Sequence, residues 1–92
     1  QLADKVAVVT GAGSGIGRAA ALLMAREGAK IGAIDHTPEE SQETIQTIRQ
    51  AGGEAISVIA DISQAGPMET ALGEIGQKFG RIDIVFANAG IN

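Results

Sequence analysis

The most constraining feature of this chain is a β-branched run that stops at a cluster of glycines. Lys5-Val6-Ala7-Val8-Val9-Thr10 leads directly into Gly11-Ala12-Gly13-Ser14-Gly15-Ile16-Gly17. The run is apolar on both faces, as a central parallel strand covered by helices on two sides should be. Ile16 to Arg26 is rich in Ala and Leu, contains no Pro and stops just before Gly28, so a helix follows the glycines at once. A helix start leaves unpaired N–H groups and a positive dipole end, which together suit a phosphate. Thirteen glycines among 92 residues serve that need for bare backbone, while Phe79 and Phe86 are the whole aromatic content.

The remaining sequence repeats the alternation. Lys30 to Asp35 reads as a second strand. Thr37-Pro38-Glu39-Glu40 reads as a capping box, with Thr37 as N-cap, Pro38 at the first helical position and Glu40 reaching back. That helix runs to about Gln50 with Ile45 and Ile48 inward, and Gly52-Gly53 end it. Glu54 to Ala60 forms a third strand. Met68, Leu72, Ile75 and Phe79 make one stripe of a third helix, capped at its start by Ser63 or Gly66 and closed by Gly80. Ile82 to Ala87 is a fourth strand. The connections are too long for hairpins, so the pattern βαβαβαβ implies an α/β fold with right-handed crossovers. We expect a doubly wound, open parallel sheet in the order 3-2-1-4, with helices on both faces and the glycine loop at the carboxyl edge. Residues 1–92 read as one domain, too short for two cores, and as an incomplete one, because nothing follows to cover the apolar last strand.

Composition narrows the functions. Seven Lys plus Arg against eleven Asp plus Glu give a net charge of −4 with no basic cluster, which argues against nucleic acid. The absence of Cys removes disulfides and thiolate chemistry, and a single His makes a structural zinc site untenable. No apolar run approaches a membrane span of roughly 20 residues, and Gln1 to Lys5 lacks the order of a signal peptide, so the expected location is the cytoplasm.

Four places could carry chemistry, each with a plainer reading beside it. The glycine loop is either a phosphate cradle or a simple turn. A G-x-G-x-x-G motif begun at Gly11 fails at Ile16, whereas Gly15-x-Gly17-x-x-Ala20 satisfies the variant ending in Ala; a P-loop is excluded by the missing Gly-Lys-Ser/Thr. Asp35, at the end of the second strand, can accept hydrogen bonds from ribose hydroxyls and repel a 2′-phosphate, or can be a solvated strand end. Asp61-Ile62 could meet an adenine ring, or Asp61 could cap the next helix with Ser63. Asn88-Ala89-Gly90 could touch a ligand or form a turn.

Thr10-Gly11-x-x-x-Gly15-x-Gly17, Asp35, Asp61-Ile62 and Asn88-Ala89-Gly90 together resemble the short-chain dehydrogenase/reductase family over essentially the whole chain. The resemblance implies a Rossmann-like fold and NAD as cofactor. By it, Gly11, Gly15 and Gly17 hold the pyrophosphate, and Ser14 and Ile16 stand at usual loop contacts. It assigns Asp35 to the adenosine ribose, Asp61 and Ile62 to the adenine, and Asn88, Ala89 and Gly90 to sheet stabilisation and cofactor contact. Ala87 departs from the pattern, where many members carry a first Asn.

The larger departure is catalytic. The family transfers hydride with a Tyr and a Lys four residues apart, assisted by a Ser. This chain has no Tyr, and Ser14, Ser41, Ser57 and Ser63 all precede the fourth strand. The resemblance is therefore to the cofactor-binding front of an enzyme that exchanges hydride between an alcohol or ketone and NAD. No catalytic residue is assigned, and the isolated chain is expected to be inactive. An S-adenosylmethionine-dependent methyltransferase fragment is the alternative, since Gly11-x-Gly13-x-Gly15 fits its loop; a nucleotide-binding module without catalysis is the third reading. A homo-oligomer is expected, and the bare fourth strand should promote self-association.

Overall fold

A computed structural model of the chain describes residues 1–13, 15–61 and 63–87, without the side chains of Pro38 and Glu40. The elements alternate as β1 (Val6–Thr10), α1 (Gly15–Arg26), β2 (Lys30–Asp35), α2 (Pro38–Gln50), β3 (Ala55–Ile59), α3 (Ala65–Phe79) and β4 (Ile84–Ala87). The four strands form one sheet in the order β3-β2-β1-β4, and every pairing is parallel. The expected fold class and strand order are those observed.

Alternation along β1 divides the core into two layers. Ala7 and Val9 face α1 and α2, packing with Ala21, Ile31, Ala33, Ile45 and Ile48. Val6 and Val8 face the other way, with Ile34, against Ala71 and Ile75 of α3. Met68, Leu72 and Phe79 pack on this second layer, so the four-residue stripe read from the sequence is the buried face of α3. Fully burying an aliphatic side chain contributes about 1.5–3 kcal/mol, and Ile31, Ile34 and Ile75 are all fully buried. Gly32, in the middle of β2, allows α3 to come close. A Cβ there would stand 2.7 Å from Cδ1 and Cγ2 of Ile75, so the residue in that strand is small because a helix lies against it.

Two helix starts differ from expectation. Thr37 has the extended backbone of an N-cap (φ −129°, ψ 147°), but its side chain makes no capping hydrogen bond. Pro38 fixes the first helical φ and needs no partner for an N–H, so the start is set without the hydroxyl, which stays exposed. The reciprocal contact expected of Glu40 lies outside the described side chains. At α3, neither Ser63 nor Gly66 is the cap; Gln64 holds that position. The Ser63 N–H and hydroxyl both donate to Asp61 Oδ1, at 3.0 and 2.6 Å, and Gln64 N–H donates to the Asp61 carbonyl at 3.2 Å. This turn consumes Ser63 and delays the helix.

The last strand begins two residues later than its apolar pattern suggested, because Asp83 is used as a tie to β1. The Val6 N–H donates to Asp83 Oδ2 at 2.9 Å, and the Asp83 N–H donates to the Val6 carbonyl at 2.9 Å. Arg81 Nε and Nη2 donate to Asp83 Oδ1 at 3.0 and 2.6 Å. These bonds, Arg81 first and the Val6 amide second, hold the Asp83 carboxyl below the usual aspartate range against a smaller opposing effect of desolvation.

Candidate functional site

Because all four strands are parallel, their carboxyl ends share one edge. Thr10 stands beside Ile34 on one side and Ala87 on the other, and Asp35 stands beside Ile59. The residues that follow these strand ends are therefore neighbours in space: the glycine loop after β1, Asp35 at the end of β2, Asp61 after β3 and the segment after β4. Two backbone bonds fasten this edge. Gly11 N–H donates to the Ile34 carbonyl at 3.1 Å, and Ala60 N–H donates to the Asp35 carbonyl at 3.0 Å.

The loop from β1 to α1 owes its shape to glycine. Gly11 (φ +68°) and Gly15 (φ +58°) lie in the left-handed region, where a side chain would be strained. Gly15 opens α1, and a Cβ built on it would meet nothing within 4 Å. The N-terminus of α1 thus begins beside open space, the setting in which exposed backbone N–H groups hold an anion. Gly17 is buried in the first turn of the helix, while Ile16 is 63% exposed.

Asp35 ends β2 with only 3% of its surface exposed. Asp61 is exposed, and its carboxyl is held below the ordinary aspartate range by the hydrogen bonds from the Ser63 hydroxyl and amide, with a smaller attraction from His36 and an opposing effect of desolvation. Asp61 thus bonds Ser63 in a turn ahead of α3 and does not cap that helix, whose N-cap is Gln64; its position at the sheet edge holds beside that bonding. Gly11, Gly15, Gly17, Asp35 and Asp61 gather at one edge as the sequence suggested; Ser14, Ile62, Asn88, Ala89 and Gly90 lie outside the described residues.

The sequence reading missed the support beneath the loop. Thr44, fully buried on α2, donates its hydroxyl to the Ala12 carbonyl at 3.0 Å, and Ala12 is itself fully buried. A hydroxyl on the inward stripe that also holds Ile45 and Ile48 was the available signal. Nearby, at the surface, Arg18 of α1 pairs with Glu43 of α2 at 3.0 Å. At the opposite, amino-terminal edge of the sheet, a groove of about 590 Å³ lies between the ends of α1 and α2, lined in part by Leu22, Ala29, Lys30, Ile48, Gly53 and Glu54. Among the described residues no cluster of His, Cys, Asp or Glu could hold a metal, and no helix is long and apolar enough to cross a membrane.

Comparison with known proteins agrees with this geometry. The family model described as short chain dehydrogenase matches residues 5–92. An uncharacterized oxidoreductase of Thermotoga maritima is 41% identical over 87 residues, covering 95% of this chain and 34% of that protein. The structure of a 3-ketoacyl-ACP reductase from Sinorhizobium meliloti has a TM-score of 0.88 and 50% identity, covering 94% of this chain and 34% of the other. That of carveol dehydrogenase from Mycobacterium avium in complex with NAD has a TM-score of 0.91 and 32% identity, covering 98% and 37%. The chain belongs to the short-chain dehydrogenase family and spans about a third of the length of these relatives. These matches lend no support to the methyltransferase alternative.

Proposed function

We propose that this member of the short-chain dehydrogenase family is the NAD-binding part of an oxidoreductase whose complete polypeptide exchanges a hydride between an alcohol or ketone and NAD. The observation that carries this reading is the junction of two features at one sheet edge: a loop with two left-handed glycines opening onto the start of α1, and a carboxylate at the end of the adjacent strand. An extended dinucleotide needs both an anion site for its pyrophosphate and an acceptor for ribose hydroxyls. The chain's residues fit that group.

In this assignment the backbone of Gly11, Gly15 and Gly17 holds the pyrophosphate, with Ser14 and Ile16 as further loop contacts. Asp35 accepts the ribose hydroxyls. Asp61, kept ionised by Ser63, and Ile62 receive the adenine, and Asn88, Ala89 and Gly90 close the same edge. NAD supplies the hydride acceptor or donor when bound; these residues bind and orient it. The reacting proton must be handled by residues outside these 92, since a Tyr is absent from them, so the isolated chain should not reduce ketones. A cytoplasmic location and a homo-oligomeric parent complete the proposal.

Asp35 also argues for NAD over NADP. A 2′-phosphate beside this carboxylate meets like charge, and His36 follows rather than an Arg that could pair with it. Each 1.4 kcal/mol of such a penalty is about tenfold in affinity. Calorimetric titration with NAD, NADP and S-adenosylmethionine tests the whole assignment. NAD should bind, NADP about tenfold or more weakly, and S-adenosylmethionine not measurably. Binding of S-adenosylmethionine without NAD would replace the proposal, and NADP affinity equal to that of NAD would remove Asp35 from it.

A further inference from the structure

Three threonines lie in helices, and they use their hydroxyls differently. Thr47 and Thr70 donate back along their own helices, to the carbonyls of Glu43 and Gly66 at 2.9 and 3.2 Å, the common fate of a helical Thr. Thr44 instead reaches out of α2 to the Ala12 carbonyl, 32 residues away in sequence, with both residues fully buried. A buried carbonyl deprived of its donor is costly, so this bond sets the orientation of the Ala12–Gly13 peptide plane. In a trans peptide the carbonyl and the N–H point in opposite directions, and the chain has no cis bond among its described residues. Holding the Ala12 carbonyl toward Thr44 therefore turns the Gly13 N–H away from α2.

We propose that Thr44 is a positioning residue for dinucleotide binding: its buried hydroxyl fixes the Ala12–Gly13 peptide so that the Gly13 amide faces the ligand. The inference rests on the dinucleotide reading above. Ile45 and Ile48 fill the flanking inward positions of α2 with apolar side chains, so the hydroxyl at Thr44 is accounted for by the Ala12 carbonyl it bonds. A Thr at this depth earns its place by what it bonds.

The test uses the natural polypeptide carrying these residues, with Thr44→Val removing the donor at similar shape and Thr44→Ser keeping it. NAD dissociation constants are measured well below the melting midpoints of all three proteins. Thr44→Val should weaken NAD binding by about tenfold, the scale of one lost hydrogen bond, and Thr44→Ser should stay within about threefold of wild type. A loss of stability alone would lower the melting temperature and leave the dissociation constant unmoved, which would overturn the inference; so would Thr44→Ser binding as weakly as Thr44→Val. If Thr44→Val does not fold, the wild-type Gly13 amide resonance decides. A large shift at saturating NAD supports the inference, and an unmoved resonance overturns it. Failure of the wild type to bind NAD at all overturns the dinucleotide reading instead, and the two failures are told apart in the same titration.

Discussion

The two central strands and the two edge strands are comparably apolar in sequence and very different in burial. All five residues of β1 are buried, as are the last five of β2, whereas β3 and β4 alternate between half-buried and exposed along most of their length. β4 reads Ile84-Val85-Phe86-Ala87 without one polar residue, yet Val85 is 52% exposed. The contrast lies in the layers, not in the strands. β1 and β2 have a strand on each side and helices on both faces, so each side chain finds a packed neighbour whichever way it points. At β4, Ile84 and Phe86 reach the layer under α1 and α2, while no described helix covers Val85. The same composition thus stabilises the centre and leaves the edge open.

The sharpest way to break that contrast is to shorten one side chain in each region. Ile34→Ala, at a fully buried site in β2, should cost about 2–5 kcal/mol. Val85→Ala in β4 should change stability by no more than about 0.5 kcal/mol. Urea denaturation of the two variants measures the difference, and equal losses would mean that β4 is covered as fully as the centre. Gly32→Ala gives the next largest effect. Its new Cβ would crowd Ile75 at 2.7 Å, an overpacking cost of about 1–3 kcal/mol. Adding Ile75→Val should recover part of the loss in a double-mutant cycle; strict additivity would show that β2 and α3 are not in tight contact. The smallest expected effect is local and depends on pH. The Asp83 carboxyl titrates lower in the folded chain than in the unfolded one, so it stabilises the β1–β4 junction above the ordinary aspartate range and ceases to do so as pH falls through its folded value. The protection factor of the Val6 amide, the exchange rate corrected for its intrinsic pH dependence, should therefore fall below about pH 4, and Asp83→Asn should lose most of that pH dependence while protection in β2 stays unchanged.

How far the sequence was readable follows the same division between local and distant. The strands, the helices and the sheet order follow from periodicity and crossover rules, because Val6-Ala7-Val8-Val9 and the Met68-to-Phe79 stripe carry their own period. That Gly11, Gly15, Asp35 and Asp61 share one edge was legible because parallel topology brings strand ends together whatever the side chains do. Contacts between distant residues left no such mark. The bond between Val6 and Asp83 spans 77 positions, and Asp83 read only as the polar member of an alternating strand. Thr44 looked like any helical Thr until Ala12 was seen beside it. Ser63 looked like a helix cap, but Asp61 competes for its N–H and hydroxyl, and spacing alone does not reveal the winner. A buried Ser41 hydroxyl with no partner among the described residues marks the same end of α2 and was equally silent in sequence.

Amide hydrogen exchange with and without NAD tests the central claim, that the ligand site is built at the carboxyl edge of the tightly packed centre. On binding, protection should rise in residues 11–17, at Asp35 and His36, and around Asp61 to Ser63. The amides bordering the groove at the opposite edge, from Gly28 to Lys30 and from Gly52 to Glu54, should be unchanged. Protection confined to that groove, or binding with no protection in the glycine loop, would contradict the account.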